Sequence, residues 1–320
     1  MTSVKLSKLA GLFLGAVLGD VHSLYWRFCI LKPRHHWSLD DGLLSSLNTC
    51  SGKLCYSYVT ELMLLLAEEV LENGQVIPES LATRFACRAK LGKDVRCYDR
   101  TLALLFRSIR RGIPWEAANR EVNTLSDTSN CAAAARVTPI TIYFSDLTDI
   151  IEETTKQALV TNYNEYAVEG ALIYAAAQYM VIKGIVGPDL VHKLLKYVDK
   201  RAFRIRLIAI PKLLNEEPKT VAKVIGNSSK AYEAVPAAIY CYLRSGGNPL
   251  KAIKYSVSLG GNVSDIAIMA SSLAAAESGI SNKIFRTIRN VENSNVLLNI
   301  LQSLISVKLG KSTDLSILTS

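Results

Sequence analysis

The sequence predicts an all-α protein, with one compact single-domain helical bundle over residues 1–310 and a C-terminal tail over residues 311–320. Apolar residues recur with helical periodicity along most of the chain. Glycine and proline divide these segments into short stretches, and no low-complexity linker or fixed repeat separates two parts. The chain has 320 residues, of which 49% are hydrophobic and 20% charged. That length and composition are enough to bury one large core.

The first segment that we expect to be helical is residues 9–19, which are almost entirely apolar. Lys5 and Lys8 precede this segment, so it resembles the core of a secretory signal peptide in length. No cleavage site of small residues follows, because the chain continues directly into Asp20, and we therefore expect a buried first helix. Three glycines spaced by four residues predict close helix packing: Gly11, Gly15 and Gly19.

The remaining elements follow an irregular insert over residues 31–54. Apolar periodicity predicts helices over residues 60–71, 171–182, 190–198, 231–243, 250–258, 266–276 and 296–307. A further helix is predicted by an apolar stripe at Leu102, Leu105, Phe106 and Ile109. Only residues 137–144 alternate in the way that a short strand would. No stretch reaches the ~18 apolar residues of a membrane span, so no membrane partner is expected.

The net charge indicates the kind of ligand to expect, and the cysteines indicate the cellular compartment. The chain has 37 Lys and Arg against 28 Asp and Glu, a net charge of +9, which favours an anionic ligand without indicating a fold. Seven cysteines form an odd number, and no Cys-x-x-Cys pair or nearby histidine pair completes a zinc site. We therefore expect free thiols in a reducing compartment and a cytoplasmic protein.

Five segments, taken in order, resemble the ADP-ribosylglycohydrolase family. Residues 11–20 end in Gly-Asp, like the family's first helix. Residues 56–60, Tyr-Ser-Tyr-Val-Thr, are similar to the family's Tyr-Thr-Asp-Asp-Thr. Residues 130–139 are similar to Gly-Asn-Gly-Ala-Ala-Met-Arg-Val-Ala-Pro, and Thr161-Asn162 stands where the family has Thr-His. Residues 260–266, Gly-Gly-Asn-Val-Ser-Asp-Ile, are similar to Gly-Gly-Asp-Thr-Asp-Thr-Ile.

The resemblance implies an all-α bundle whose central cleft holds two magnesium ions. Family members use these ions to hydrolyse the glycosidic bond between ADP-ribose and a protein side chain or related acceptor. Magnesium prefers oxygen ligands, and the family supplies carboxylates from two helix N-termini. The resemblance assigns these positions to the cleft: Ser57, Tyr58, Val59, Thr60, Asn130, Asn162, Gly261, Asn262, Ser264 and Asp265.

The sequence departs from the family at the metal ligands. Tyr58 and Val59 stand at the two aspartates of the first motif, and Asn262 and Ser264 at those of the second. Asp265 stands where the family has its last threonine. One close pair of opposite charges contributes about 4 kcal/mol at an effective dielectric of about 20, and neutral groups do not replace several of them. We therefore expect no metal, no cofactor and no magnesium-dependent hydrolysis.

The same polar residues have a structural interpretation. Ser57 is placed to cap the helix near residue 60, and Asn262 with Asp265 resembles a capping box at the helix near residue 263. Capping is compatible with ligand binding, because helix N-termini favour anions without a metal. Arg27 lies near the place of a family glutamate, so a cation replaces an anion there. The resemblance predicts that these two helix N-termini face one cleft.

Two basic clusters are the strongest remaining feature. The first is opposed only by Asp94 and Asp99 in the local sequence, and comprises Arg84, Arg88, Lys90, Lys93, Arg96, Arg100, Arg107, Arg110 and Arg111. The second comprises Lys193, Lys196, Lys200, Arg201, Arg204 and Arg206. They are interpreted either as solvated helix faces or as a surface for nucleic acid, although no nucleic-acid motif accompanies them.

Three functional hypotheses follow. The first is a family member without the binuclear metal site or hydrolytic activity, which binds an ADP-ribose-like or other phosphate-containing ligand in the old cleft, or acts as a scaffold. The second is a hydrolase with a reduced or absent metal site that uses Asp265 as its general base. The third is a basic helical module that binds nucleic acid or a protein partner.

Overall fold

The computed structural model describes residues 2–29, 49–50, 52–92, 96–125, 127–313 and 315, with the side chains of residues 5–24 in the first helix. The described residues are mostly helical, which confirms the predicted all-α class. The helices are α1 (Thr2–Cys29), α2 (Tyr58–Asn73), α3 (Pro78–Arg88), α4 (Arg100–Arg110), α5 (Trp115–Leu125), α6 (Ala132–Ala135), α7 (Thr138–Tyr143), α8 (Leu147–Leu159), α9 (Glu165–Ile182), α10 (Pro188–Leu194), α11 (Arg201–Leu213), α12 (Pro218–Ile225), α13 (Ala231–Ser245), α14 (Pro249–Leu259), α15 (Val263–Ser278), α16 (Asn282–Arg289) and α17 (Ser294–Leu309).

Most of the predicted helices are present, with two local differences. The alternating segment 137–144 is not a strand: it contains α7, which has a proline in its first turn and is buried along most of its length. Its β-branched residues gave the strand-like pattern, but tertiary burial on several sides decides the conformation. The helix predicted over residues 190–198 ends at Leu194, and Leu195–Tyr197 tightens into a 3₁₀ turn.

The predicted irregular insert lies largely outside the described residues. Its last part contains two short strands, β1 (Thr49–Cys50) and β2 (Lys53–Leu54), which pair antiparallel. Leu54 also exchanges backbone hydrogen bonds with the segment after α16, donating to Asn290 O at 2.9 Å and accepting from Glu292 N at 2.8 Å. This contact holds the start of α2 against the C-terminal part of the chain. In the tail, Leu315 is buried against the core.

The centre of the molecule is the antiparallel pair of α1 and α15. The predicted close packing of the α1 glycines is confirmed, because a Cβ atom on any of them would collide with α15. The facing backbone oxygens are those of Ala275 for Gly11, Ser271 for Gly15 and Ala267 for Gly19. Each step of four residues along α1 therefore moves four residues back along α15. Continued for one more turn, this register brings Ser23 of α1 to Ser264, at the start of α15.

The structure also bears on the predictions about membrane spans and free cysteines. No helix among the described residues is long and apolar enough to cross a membrane. Cys87, Cys97, Cys131 and Cys241 are free thiols, as expected. Cys55 is disulfide-bonded, so the prediction of free thiols throughout is wrong at that position.

Candidate functional site

Asp20, near the end of α1, is the carboxylate around which α2 begins. Its side chain is fully buried, and Oδ2 accepts N–H bonds from Ser57 at 3.0 Å and Thr60 at 3.3 Å. Ser57 Oγ accepts from Val59 N at 3.2 Å, which confirms the predicted helix cap. Burial raises the pKa of Asp20, and the hydrogen bonds from Thr60 and Ser57 oppose this rise. Within the described residues, Asp20 Oδ1 has no hydrogen-bond partner.

The start of α15 lies against the same turn of α1. Ser23 Oγ donates to the carbonyl oxygen of Asp20 at 3.1 Å and lies 3.4 Å from Ser264 Oγ. Since Asp20 also binds the start of α2, the N-termini of α2 and α15 are both in contact with residues 20–23. This is the convergence that the sequence predicted for the helices near residues 60 and 263.

Tyr58 and Val59, which the family resemblance aligns with two aspartates, both belong to the apolar core. Val59 is 2% exposed and Tyr58 is 6% exposed. The Tyr58 ring lies 5.3 Å, centroid to centroid, from the Tyr98 ring. These two side chains supply packing rather than charge at the N-terminus of α2.

At the N-terminus of α15, Asn262, Asp265 and Cys131 form a polar triplet in which Cys131 and Asp265 are buried and Asn262 is half-buried. Asn262 Nδ2 donates to Asp265 Oδ2 at 2.9 Å and to Cys131 Sγ at 3.4 Å. The Cys131 thiol donates to the same Asp265 oxygen at 3.2 Å. Burial raises the pKa of the Cys131 thiol well above its usual range, and the Asp265 carboxylate adds to the rise. The thiol is therefore a proton donor here, not a nucleophilic thiolate.

The predicted capping box at Asn262 is wrong in its geometry. The Asn262 side chain caps no N–H of α15, because its amide is turned toward Asp265. Its backbone is fixed by an Asn262 N–H bond to Asn227 O at 2.7 Å. Gly261, with φ of 66°, allows this turn, since any Cβ atom there would collide with the Asn227 carbonyl. The glycine is thus required by a close backbone contact.

Asn130 lies beside this triplet on the loop that carries Cys131, and Asn162, between α8 and α9, contacts that loop. Asn130 Oδ1 accepts from Ala132 N at 3.1 Å and from Asn162 Nδ2 at 3.3 Å. Asn162 Nδ2 also donates to Thr128 O at 2.9 Å, and Asn162 is 2% exposed. Asn162 thus joins this loop to the segment between α8 and α9 through two hydrogen bonds. The predicted site residues form one connected region, with Tyr58 and Val59 turned into the core beside it.

Arg136 is a buried cation that sequence reasoning left out of the site. Its Nε donates to Gln157 Oε1 at 2.8 Å, and its Nη2 donates to Thr161 Oγ1 at 2.9 Å. Among the described residues no ion pair to Arg136 is present, and Nη1 has no hydrogen-bond partner. Burial lowers the pKa of Arg136 to about 10. Asp20, Ser23 and Cys131 were likewise missed, although Asp20 closes the first motif that suggested the family.

This set of donors does not fit two magnesium ions. Of the two carboxylates at the helix N-termini, Asp20 binds backbone N–H groups and Asp265 binds an amide and a thiol. In the part of the chain that the structure describes, no three His, Cys, Asp or Glu side chains are grouped to hold a metal. Magnesium requires about six oxygen ligands in octahedral geometry, so tyrosine, valine and an N–H-donating asparagine are unsuitable substitutes.

The first basic cluster is not an isolated cationic face. Arg84 pairs with Glu69 at 3.0 Å and also with Glu72, and Arg88 pairs with Glu68. The prediction that only nearby aspartates oppose this cluster is therefore wrong, because α2 supplies acidic partners from across the α2–α3 contact. Of those aspartates, Asp94 lies outside the described residues.

Arg96, predicted to lie in the same cluster, is completely buried. It pairs with Glu61 at 3.1 Å and with Glu292, and its guanidinium carbon lies 4.1 Å from the centre of the Tyr56 ring. In the second cluster, Lys200 pairs with Glu165, and Arg206 lies 3.9 Å from Glu233. Both clusters are thus partly neutralised, which weakens the nucleic-acid interpretation.

Comparison with known proteins identifies relatives over nearly the full length of the chain. The family model described as ADP-ribosylglycohydrolase matches residues 1–311. ADP-ribosylhydrolase ARH3 from Bos taurus is 27% identical over 317 residues, covering 86% of each chain. The Homo sapiens protein of the same name is 28% identical over 318 residues, again covering 86% of each. A solved structure titled ADP-ribosylglycohydrolase-related protein complex matches in fold with a TM-score of 0.68 and 16% identity, covering 96% of this chain and 98% of that one.

Proposed function

Because the chain belongs to the ADP-ribosylglycohydrolase family, we propose that it keeps the family cleft but does not hydrolyse ADP-ribosyl bonds with magnesium. The observation that carries the proposal is the side-chain chemistry at the two helix N-termini. Tyr58 and Val59 are packed in the core, and Asn262 points its N–H donors at Asp265. A cation placed there would meet N–H groups instead of the carboxylate oxygens that neutralise its charge.

The ligand that we propose is ADP-ribose-like. The Asp265 carboxylate and Ser264 hydroxyl, both in the first turn of α15, offer acceptors for sugar hydroxyls. The relatives named ADP-ribosylhydrolase support this substrate class. In this proposal the ligand is held by direct hydrogen bonds, without a bridging metal.

A metal-free hydrolase with Asp265 as general base is the second candidate. It is favoured by one observation, that Asp265 is a buried carboxylate, 5% exposed, at the shared helix N-termini. Against it, one Asp265 oxygen already accepts from both Cys131 and Asn262, so that oxygen is engaged within the protein. We also propose a cytoplasmic location, which the free thiols support and the disulfide at Cys55 does not.

The test combines hydrolysis with titration. We expect no release of ADP-ribose from ADP-ribosyl-serine or ADP-ribosyl-arginine peptides above buffer, with or without millimolar magnesium. Calorimetric titration with ADP-ribose should show one site whose affinity is unchanged by EDTA. Asp265→Asn should weaken binding, whereas the exposed matched control Asp189→Asn should not. Magnesium-dependent turnover would overturn the proposal, and metal-free turnover lost in Asp265→Asn would establish the second candidate.

A further inference from the structure

A cavity of about 580 Å³ lies beside α1, and none of its described lining residues belongs to the site at the N-termini of α2 and α15. Its α1 lining residues are Leu18, Val21 and His22. An α-helix turns by about 100° per residue, so these three residues share one face of α1, and Asp20 and Ser23 lie on the opposite face. The other walls come from β2, α14 and α16. The cavity is therefore not an extension of the site at the N-termini of α2 and α15.

The floor of this cavity is aliphatic. Leu18, Val21 and Ile284 are buried, and Leu54 and Leu250 are half-buried at its sides. His22 carries the single aromatic ring among the described residues that line it, and none of them is a Phe, Tyr or Trp. Nucleobases and aryl groups are usually bound by stacking on aromatic side chains, so this floor suits a flexible alkyl chain better. Its volume lies within the range of about 300–1,000 Å³ that is usual for ligand pockets.

The mouth of the cavity is cationic. Lys283 and Arg286 lie three residues apart on α16, so they project to the same side of that helix. Both are exposed, and α16, Asn282–Arg289, contains no acidic residue. Arg286 makes no ion pair with any described residue. An anionic head group at this position would gain a guanidinium that pairs with no carboxylate in the described part of the chain.

We propose that this cavity binds a single-chain aliphatic anion, with the alkyl chain on the floor and the head group at Arg286 and Lys283. A medium-chain fatty carboxylate is the simplest member of this class, and an alkyl phosphate shares its chemistry. Each part of the ligand has its own contact in the cavity. The aliphatic floor binds the alkyl chain, so affinity should grow with chain length, and the cationic mouth favours a negatively charged head group. The proposal does not depend on the function of the cleft.

The probe is decanoate, titrated by calorimetry into the full-length protein below its micellar concentration. We expect one site per chain and affinity that falls about fourfold for each methylene removed, as burial of CH₂ groups predicts. Decanol and decyltrimethylammonium should bind at least fivefold more weakly than decanoate. Decyl phosphate distinguishes the head-group source: tighter binding than decanoate indicates a phosphate ligand, and weaker binding a carboxylate. More than one site, or equal binding of decanol and decanoate, would overturn the proposal.

Matched variants locate the site. Arg286→Glu should weaken decanoate binding at least fivefold, whereas Arg289→Glu, on the same helix but outside the cavity, should leave it unchanged. Leu250→Trp should fill the cavity and abolish binding, and Thr287→Trp at the half-buried rim serves if the first variant fails to fold. Asp265→Asn should not alter decanoate binding, so a failure here is distinct from a failure of the proposed cleft function. Equal effects of Arg286→Glu and Arg289→Glu would overturn the assignment.

Discussion

The carboxyl group of Asp20 has two oxygens in different situations: Oδ2 accepts two backbone N–H bonds, and Oδ1 is buried without a partner among the described residues. Burial raises its pKa, so the folded state binds the proton more tightly than the unfolded state, whose value is about 3.9. The stability from this group is therefore fully present below pH ~4 and is lost as the pH rises through the folded pKa.

Asp20→Asn should remove this dependence. The quantity to follow is the free energy of unfolding of the native protein minus that of the Asn variant. We expect this difference to fall as the pH rises from 4 to the folded pKa, by at most about 1.4 kcal/mol per pH unit. Urea denaturation at several pH values measures it, with Asp189→Asn as the exposed control. A relative stability that rises with pH in this window would show that the hydrogen bonds outweigh burial.

The thiols should differ widely in reactivity. Cys87 is exposed, whereas Cys131 and Cys241 are buried. Burial raises the pKa of the Cys241 thiol to about 12, and that of Cys131 is also raised. Since the thiolate is the reacting species, iodoacetamide at pH 8 should modify Cys87 first and should reach Cys131 and Cys241 only after unfolding. Mass spectrometry of peptides follows the order, and early modification of Cys131 would contradict its protonated, buried state.

The packing of α1 against α15 depends on small residues. A Cβ atom on Gly15 would lie 2.6 Å from Ser271 O, so the two helices would have to separate. Gly15→Ala should therefore destabilise the protein by about 1–3 kcal/mol, although alanine has the higher helix propensity. Gly92→Ala is the matched control, because nothing lies within 4 Å of its added Cβ atom. Equal midpoints of urea unfolding for the two variants would contradict the close contact.

Arg96 joins α2 to the segment that follows α16 through Glu61 and Glu292. Removing the cation leaves two carboxylates largely buried without it, so Arg96→Ala should cost about 3–5 kcal/mol of unfolding free energy. Arg100→Ala, at an exposed position, should change stability by less than ~0.5 kcal/mol. Urea denaturation compares the two, and a small effect at Arg96 would mean that solvent reaches the cluster.

The helices were largely predictable, because apolar periodicity is a local property. The predicted helices over residues 60–71 and 266–276 lie within α2 and α15, which extend two or three residues further at each end. α9 begins at Glu165, well before the predicted start at 171, because its first turns are polar and its cap, Asn164, was not recognised. Local patterns identify helix interiors better than their polar first turns.

The contacts within the candidate site were much less predictable. In the sequence, Arg96 lies 35 residues from Glu61 and 196 residues from Glu292. Cys131 lies 134 residues from Asp265. The sequence pattern therefore assigned Arg96 to an exposed basic cluster and gave no partner for the Cys131 thiol. Only the ordered motifs pointed to the meeting of residues 57–60 with residues 262–265, because they carried information about the family's tertiary structure.

The connected polar region from Asp20 to Asn162 leads to a prediction about ligand-linked stability. A ligand that binds only the folded state stabilises it by RT ln(1 + [L]/Kd), which is about 2.7 kcal/mol at a concentration of about 100 Kd. For a chain of this size, that corresponds to a rise in melting temperature on the order of 5 °C.

We expect ADP-ribose to produce such a rise equally in magnesium and in EDTA, and magnesium alone to produce none. The reason is that Tyr58 and Val59 pack in the core and Asn262 donates N–H bonds, which leaves a cation too few oxygen ligands. Differential scanning calorimetry makes the comparison, and a saturable rise with magnesium alone would show that a metal site survives.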